Sequence, residues 1–119
     1  MLTGTWIPQG AEFAGQSVPM PDARLVIEGD RYVVEAAAGR DSGTLQIDTT
    51  VTPHAIDLVG KRGPNAGRTI PALFRIRGNL LQLCYCVGEG TAGQPRPTES
   101  HAAAGSMQIL VRYRRLQAE

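Results

Sequence analysis

No stretch of this chain runs long enough between glycines, prolines and other turn residues to build a substantial helix, while short β-runs recur from end to end at roughly ten-residue spacing. The best helical segment, Glu35-Ala36-Ala37-Ala38, stops at Gly39 and is too short to nucleate. Eight strands are predicted: Leu2 to Pro8, Arg24 to Glu28, Arg31 to Glu35, Thr44 to Asp48, His54 to Val59, Thr69 to Arg77, Leu80 to Val87 and Met107 to Arg115. Gly29-Asp30 and Gly78-Asn79 read as two-residue hairpin links. Gly39 to Gly43 and Thr49 to Pro53 read as turns, and Gln9 to Ala23, Gly60 to Arg68 and Gly88 to Gly105 as longer loops. Regular strands with mostly tight links favour an antiparallel meander closed as an up-and-down barrel over a βαβ fold.

The two ends of the chain support closure. Gly4-Thr5-Trp6 opens the first run, and Val111-Arg112-Tyr113-Arg114-Arg115 ends the last. First and last strands are neighbours in a closed barrel, so an arginine of the last can stack on Trp6 and shut the floor. Arg114 is the first choice and Arg112 the second. Successive links alternate between the two barrel ends, which places all three long loops at one end and the tight hairpins at the other. The long-loop end is therefore the expected mouth, with Arg96 and its loop guarding it.

The 119 residues suffice for one domain, 1–119, with a core that needs no staples. Twelve basic and 11 acidic residues leave a formal charge of +1, too weak a field to gather nucleic acid or anionic lipid over the whole surface. No apolar run approaches the roughly 20 residues of a membrane span. Met1-Leu2-Thr3-Gly4 leads into the first strand without the features of a signal peptide, so a cytoplasmic protein is expected, an exported form with its signal removed staying open. Cys84 and Cys86, two apart on one strand, share a face with Cα atoms about 7 Å apart, at the limit of disulfide reach. They read as free thiols of a reducing compartment.

Chemistry-bearing patterns are weak. Cys84 and Cys86 with His54 and His101 offer zinc-type donors, but a C-x-C within one strand lacks the spacing of a zinc site, and wall packing is the better account. Nothing places either histidine beside a thiol, and Ser42, Ser100 and Ser106 lack a nucleophile-elbow context. No catalytic residue, metal ligand or cofactor is assigned. Asp57 reads as outward and solvated if Ile56 and Leu58 face in, and as a buried acid needing an arginine if they do not. Arg75 and Arg77 alternate with Phe74 and Ile76 as a solvated face, an anion or partner patch being the other reading. Pro95-Arg96-Pro97-Thr98-Glu99 holds Arg96 extended, for loop locking or for a ligand or partner contact.

The ordered set Leu2-x-Gly4-Thr5-Trp6, Gly15-Gln16-x-Val18-Pro19, Gly29-Asp30-x-Tyr32, Gly43-Thr44-Leu45-x-Ile47-Asp48, Pro53-x-Ala55-Ile56-Asp57-Leu58, Gly63-Pro64-x-x-Gly67, Gly78-Asn79-x-Leu81-x-Leu83-Cys84, Arg96-Pro97-Thr98-Glu99 and Tyr113-x-Arg115 spans nearly the whole chain. It resembles the uncharacterised lipocalin-like domain of planctomycetes and scattered bacteria. Ser100 departs from the aromatic usual in that family, and the secretion signal of many members is missing. The resemblance implies an eight-stranded lipocalin-like barrel with a calyx for a small apolar ligand, and no established activity.

The expectation is thus an all-β, eight-stranded antiparallel up-and-down barrel that binds a small, mostly apolar molecule without catalysis. Trp6, Leu45, Ile47, Ile56, Leu58, Phe74 and Arg96 are its candidate ligand contacts. The alternative is a protein-interaction module with a filled barrel and loop-borne contacts; a protein partner or a homo-oligomer fits either reading. A metal-dependent or thiol enzyme is the third.

Overall fold

Period-two alternation becomes, among the described residues, nine antiparallel strands and no helix. The computed structural model describes residues 2–19, 22–37, 39–86, 96–97 and 107–116. The strands are β1 (Gly4–Phe13), β2 (Gln16–Val18), β3 (Ala23–Glu28), β4 (Arg31–Ala36), β5 (Gly39–Asp48), β6 (His54–Arg62), β7 (Thr69–Arg77), β8 (Leu80–Cys86) and β9 (Gln108–Arg115). The sheet order is β2-β1-β3-β4-β5-β6-β7-β8-β9, and a further β1–β9 pairing closes it. Eight strands thus form a closed up-and-down barrel, while β2 is a short flap on the far half of β1. Closure removes the exposed edges that an open sheet of this size would carry.

β1 differs most from the sequence reading. It was expected to end at Pro8, with a loop from Gln9 to Ala23, yet it continues to Phe13 and turns back as β2. Two things hide this from pattern reading. Pro8 and Gly10 both look like strand breakers, but they flank a bulge in which Gln9 is the extra residue between the Pro8–Tyr113 and Gly10–Arg112 pairs. The bulge resets the alternation, so Trp6 and Pro8 point inward, then Ala11 and Phe13. The β1–β2 link places Ala14 (φ 52°) and Gly15 (φ 84°) in the left-handed region, as a two-residue hairpin requires. β5 likewise starts at Gly39 rather than Thr44, so Gly39 to Gly43 is strand and not turn. Glu35 and Ala36 belong to β4 and not to a helix.

Alternate residues of each strand fill the barrel. The core joins Leu2, Trp6, Leu25, Ile27, Tyr32, Leu45, Ile56, Ala72, Phe74, Leu81 and Leu83. At the end carrying the Gly29-Asp30 and Gly78-Asn79 links, Trp6 is fully buried and its indole Nε1 donates to the Leu2 carbonyl at 2.8 Å. The guanidinium of Arg115 lies 4.5 Å from the centre of the Trp6 ring. This corrects the expected partner, which was Arg114 or Arg112. Trp6 and Arg115 are register partners across the β1–β9 seam, and the alternation that points Tyr113 inward does the same for Arg115. Arg114 is exposed, and Arg112 reaches Glu12 at 3.0 Å.

The outside of the wall also buries apolar surface. Ala55, Leu73, Cys84 and Leu110 are register neighbours across β6, β7, β8 and β9, and all are buried. Pro97 is buried, and Arg96 beside it pairs with Asp57, so the β8–β9 connection carries these two residues back across β6 and β7. Arg75 and Arg77 are exposed, as a solvated face requires.

Candidate functional site

A cavity of about 340 Å³ occupies the other end of the barrel, above the packed floor. Its walls are the inward residues of six strands: Leu25, Tyr32, Val34, Leu58, Ile70, Leu83, Tyr85 and Tyr113. Toward the loop end it is lined by Pro8, Ala23, Ala36, Asp41 and Asn65. Space remains because the inward positions there are small. Ala23 and Ala36 are register partners on β3 and β4. Gly43 faces Gly60 across β5 and β6, and there the backbone itself fills the space. A Cβ at Gly43 would collide with the Val59 carbonyl, and one at Gly60 with the Asn65 carbonyl, so close backbone approach demands glycine at both.

The polar end of the cavity is assembled by the β6–β7 loop. Hydrogen bonds from Gly60 N–H to Arg68 O (2.8 Å), Gly67 N–H to Gly60 O (2.9 Å) and Arg68 N–H to Asn65 O (3.0 Å) fold that loop tightly back on itself. This brings Asn65 against Asp41 of β5: Asn65 Nδ2 donates to Oδ2 at 2.7 Å, and its backbone N–H to Oδ1 at 3.4 Å. No Asp41 ion pair forms among the described residues. Tyr32 stands deeper, 2% exposed, and its hydroxyl has no hydrogen-bond partner among the described residues. Burial, and after it the Asp41 charge, push the Tyr32 phenol up to about 12. Burial likewise raises Tyr85 and Tyr113, with Tyr85 adding to the shift of Tyr113. Three phenols therefore stay neutral and protonated at physiological pH around a largely apolar space.

The seven residues expected to contact a ligand are scattered. Leu58 lines the cavity. Trp6, Leu45 and Phe74 are buried in the packed part of the barrel and are not among its lining residues. Ile56 is core on one side and borders an outer concavity on the other, and Ile47 borders the same concavity, 39% exposed. Arg96 does not guard the mouth. It is clamped to the outer wall, Nη1 donating to Ala72 O (2.8 Å) and Ile56 O (3.3 Å) and Nη2 to Asp57 Oδ1 (2.5 Å). Asp57 thus points outward but is paired rather than merely solvated. This half-exposed pair contributes on the order of 1 kcal/mol or less, so its main effect is to fix the connection in place.

That outer concavity, about 480 Å³, runs beside Gln46, Asp48, Asp57, Leu73 and Arg96 near the β5–β6 turn. It is a groove on the wall, and the arginine in it already donates three hydrogen bonds to protein acceptors. The inner cavity is the better site because its walls are apolar and its buried polar atom is still unbonded.

The remaining chemistry-bearing residues do not converge. Burial, then Cys86, raise Cys84 to about 11, which makes it a poor nucleophile. His54 packs on Phe74 with ring centres 5.5 Å apart, inside the wall whose outer side holds Cys84, so no thiol–imidazole pair forms between them. Among the described residues no group of three or more His, Cys, Asp or Glu is placed to hold a metal ion. His101, Ser100, Ser106, Thr98 and Glu99 lie outside the described residues.

Pattern reading missed Tyr32, Val34, Tyr85, Tyr113, Asp41 and Asn65 as site residues. The first four carry a usable signal, since alternation from Leu25 and Ile27 through the Gly29-Asp30 hairpin puts Tyr32 and Val34 inside. Asp41 lies in a segment that reads as a turn and Asn65 in one that reads as a loop, and no local pattern joins them. No protein-family model matches the chain, and no curated protein or solved structure matches it.

Proposed function

We propose that this chain is a non-enzymatic binding protein that holds a small, mostly apolar molecule inside the loop end of its barrel. The observation that carries this reading is the roughly 340 Å³ cavity, walled by Val34, Leu58, Ile70, Leu83 and three tyrosines, in a barrel whose other end is packed solid. Eight strands make a barrel just wide enough to fill with side chains or to hold one small ligand, and here the two outcomes share one molecule. Kinship with the lipocalin-like domain that its motifs resemble belongs to the same proposal, as does a cytoplasmic location. No helix among the described residues is long and apolar enough to cross a membrane.

The test is titration with a neutral apolar fluorophore such as N-phenylnaphthylamine. Wild type should enhance its emission saturably, and Leu58→Trp, which fills the cavity, should abolish the response with the fold intact by circular dichroism. Equal binding by both proteins would place the probe outside the barrel. The alternative, a protein-interaction module, draws support from the exposed Ile47 and Val51 beside the outer concavity. Ile47→Ser should leave probe binding unchanged while weakening any such association.

A further inference from the structure

Among the residues lining the cavity, Asp41 is the one carboxylate and Arg24 the one cation. They are not equivalent. Arg24 occupies an outward position of β3, beside inward Leu25, and is exposed. Asp41 is half-buried on β5, two residues before inward Gly43, and its charge is felt at the Tyr32 phenol. Asn65 gives each Asp41 oxygen one hydrogen bond and orients the group without neutralising it. A carboxylate oxygen has two acceptor sites, so each oxygen keeps one. Tyr32 adds a hydroxyl that is buried, lines the same cavity and has no partner among the described residues. Tyr85 and Tyr113 add electron-rich ring faces.

We propose that the ligand is an organic amine: a primary ammonium on an apolar body, its charge held between Asp41 at the loop end and the deeper Tyr32 hydroxyl and its body among Leu58, Leu83 and the tyrosines. The ammonium N–H groups donate to the free acceptor sites of Asp41 and to the Tyr32 oxygen, which gives both acceptors a donor. The phenol faces attract the same cation, and phenols that stay neutral do not compete as anions. A carboxylate ligand of the same shape would meet Asp41 with no inward-facing cation among the cavity's lining residues to offset it. This inference rests on the cavity reading above and adds the charge of the ligand to it.

Three probes of one chain length separate the two ideas: octylamine, octanol and octanoate, titrated by calorimetry into the full chain. The amine should bind roughly tenfold more tightly than the alcohol, the scale of one desolvated cation contact, and octanoate should be weakest. The advantage of amine over alcohol should shrink as salt is raised, and in Asp41→Asn the ratio should collapse to about one. Octanol binding as tightly as octylamine, or octanoate binding best, would overturn the amine assignment and leave the cavity reading standing. No binding by any of the three would overturn the cavity reading and the assignment with it. The wild-type series and its salt dependence decide the matter even if Asp41→Asn does not fold.

Discussion

At the hairpin end of the barrel, Trp6 and Phe74 are fully buried, the indole is tied to Leu2, and Arg115 closes over it. At the loop end, the same alternation of the same strands delivers Ala23 and Ala36 beside tyrosines, and a cavity remains. What separates the two ends is side-chain volume. One indole and one long arginine from the β1–β9 seam stopper the floor, whereas at the mouth the seam offers Pro8 opposite Tyr113, which line the cavity without filling it. A barrel of this size therefore need not be solid or hollow throughout. The choice is made layer by layer.

Removing the stopper should have the largest effect. Trp6→Ala is expected to cost about 3–5 kcal/mol in urea melts, from lost burial and the cavity left behind. A change of a few tenths would mean that the floor is not the packed end. Alkaline melts give the next largest effect and separate the inside of the barrel from its outer wall. The folded state holds Cys84 at about 11 against an ordinary 9.0, and Tyr32 at about 12 against 10.0. Both folded values are raised, so the stability they contribute is complete below the unfolded values and is lost as pH rises through the folded ones, the unfolded chain releasing its protons first. Stability should fall from about pH 9 onward, by on the order of 3–4 kcal/mol by pH 11. Cys84→Ala should delay the onset to about pH 10, and Tyr32→Phe should lessen the later part of the decline, which Tyr85 and Tyr113 share. A flat profile between pH 8 and 11 would sink both assignments.

Matched enlargements probe the comparison directly. Leu81→Trp overfills the floor and should cost about 1–3 kcal/mol, while Val34→Phe extends into the cavity and should cost less than about 1 kcal/mol. Equal costs would erase the difference between the ends. The smallest expected effect is that of the stack itself. Arg115→Met, which keeps much of the packing and loses the charge, should destabilise by about 1 kcal/mol, and Arg114→Met should stay within about 0.5 kcal/mol.

Parts of this architecture can be read off the chain. Leu45 and Ile47, Ile56 and Leu58, and Phe74 and Ile76 announce strands by alternation, and Gly29-Asp30 and Gly78-Asn79 announce their links. The Trp6–arginine seam was legible too, but the choice of Arg114 over Arg115 ignored the parity that Tyr113 had already set. The continuation of β1 past Pro8 was not legible, because a bulge is stabilised by the partner strand rather than by the residues that form it. That Ile47 and Phe74 do not line the inner cavity was illegible for another reason. Alternation says which residues point inward, but not at which height the interior is full.

Sequence alone determined the strand count of the closed barrel, its antiparallel connectivity and the facing of most side chains, since these follow from local periodicity and turn chemistry. Only the tertiary structure decided where the interior is empty, that Arg96 clamps the outer wall through Asp57, Ala72 and Ile56, and that Asn65 meets Asp41 at the mouth. Those outcomes depend on residues 24 to 40 positions apart being brought into contact, and on the summed volume of side chains from different strands at one height. Neither quantity is carried by any local stretch of the chain.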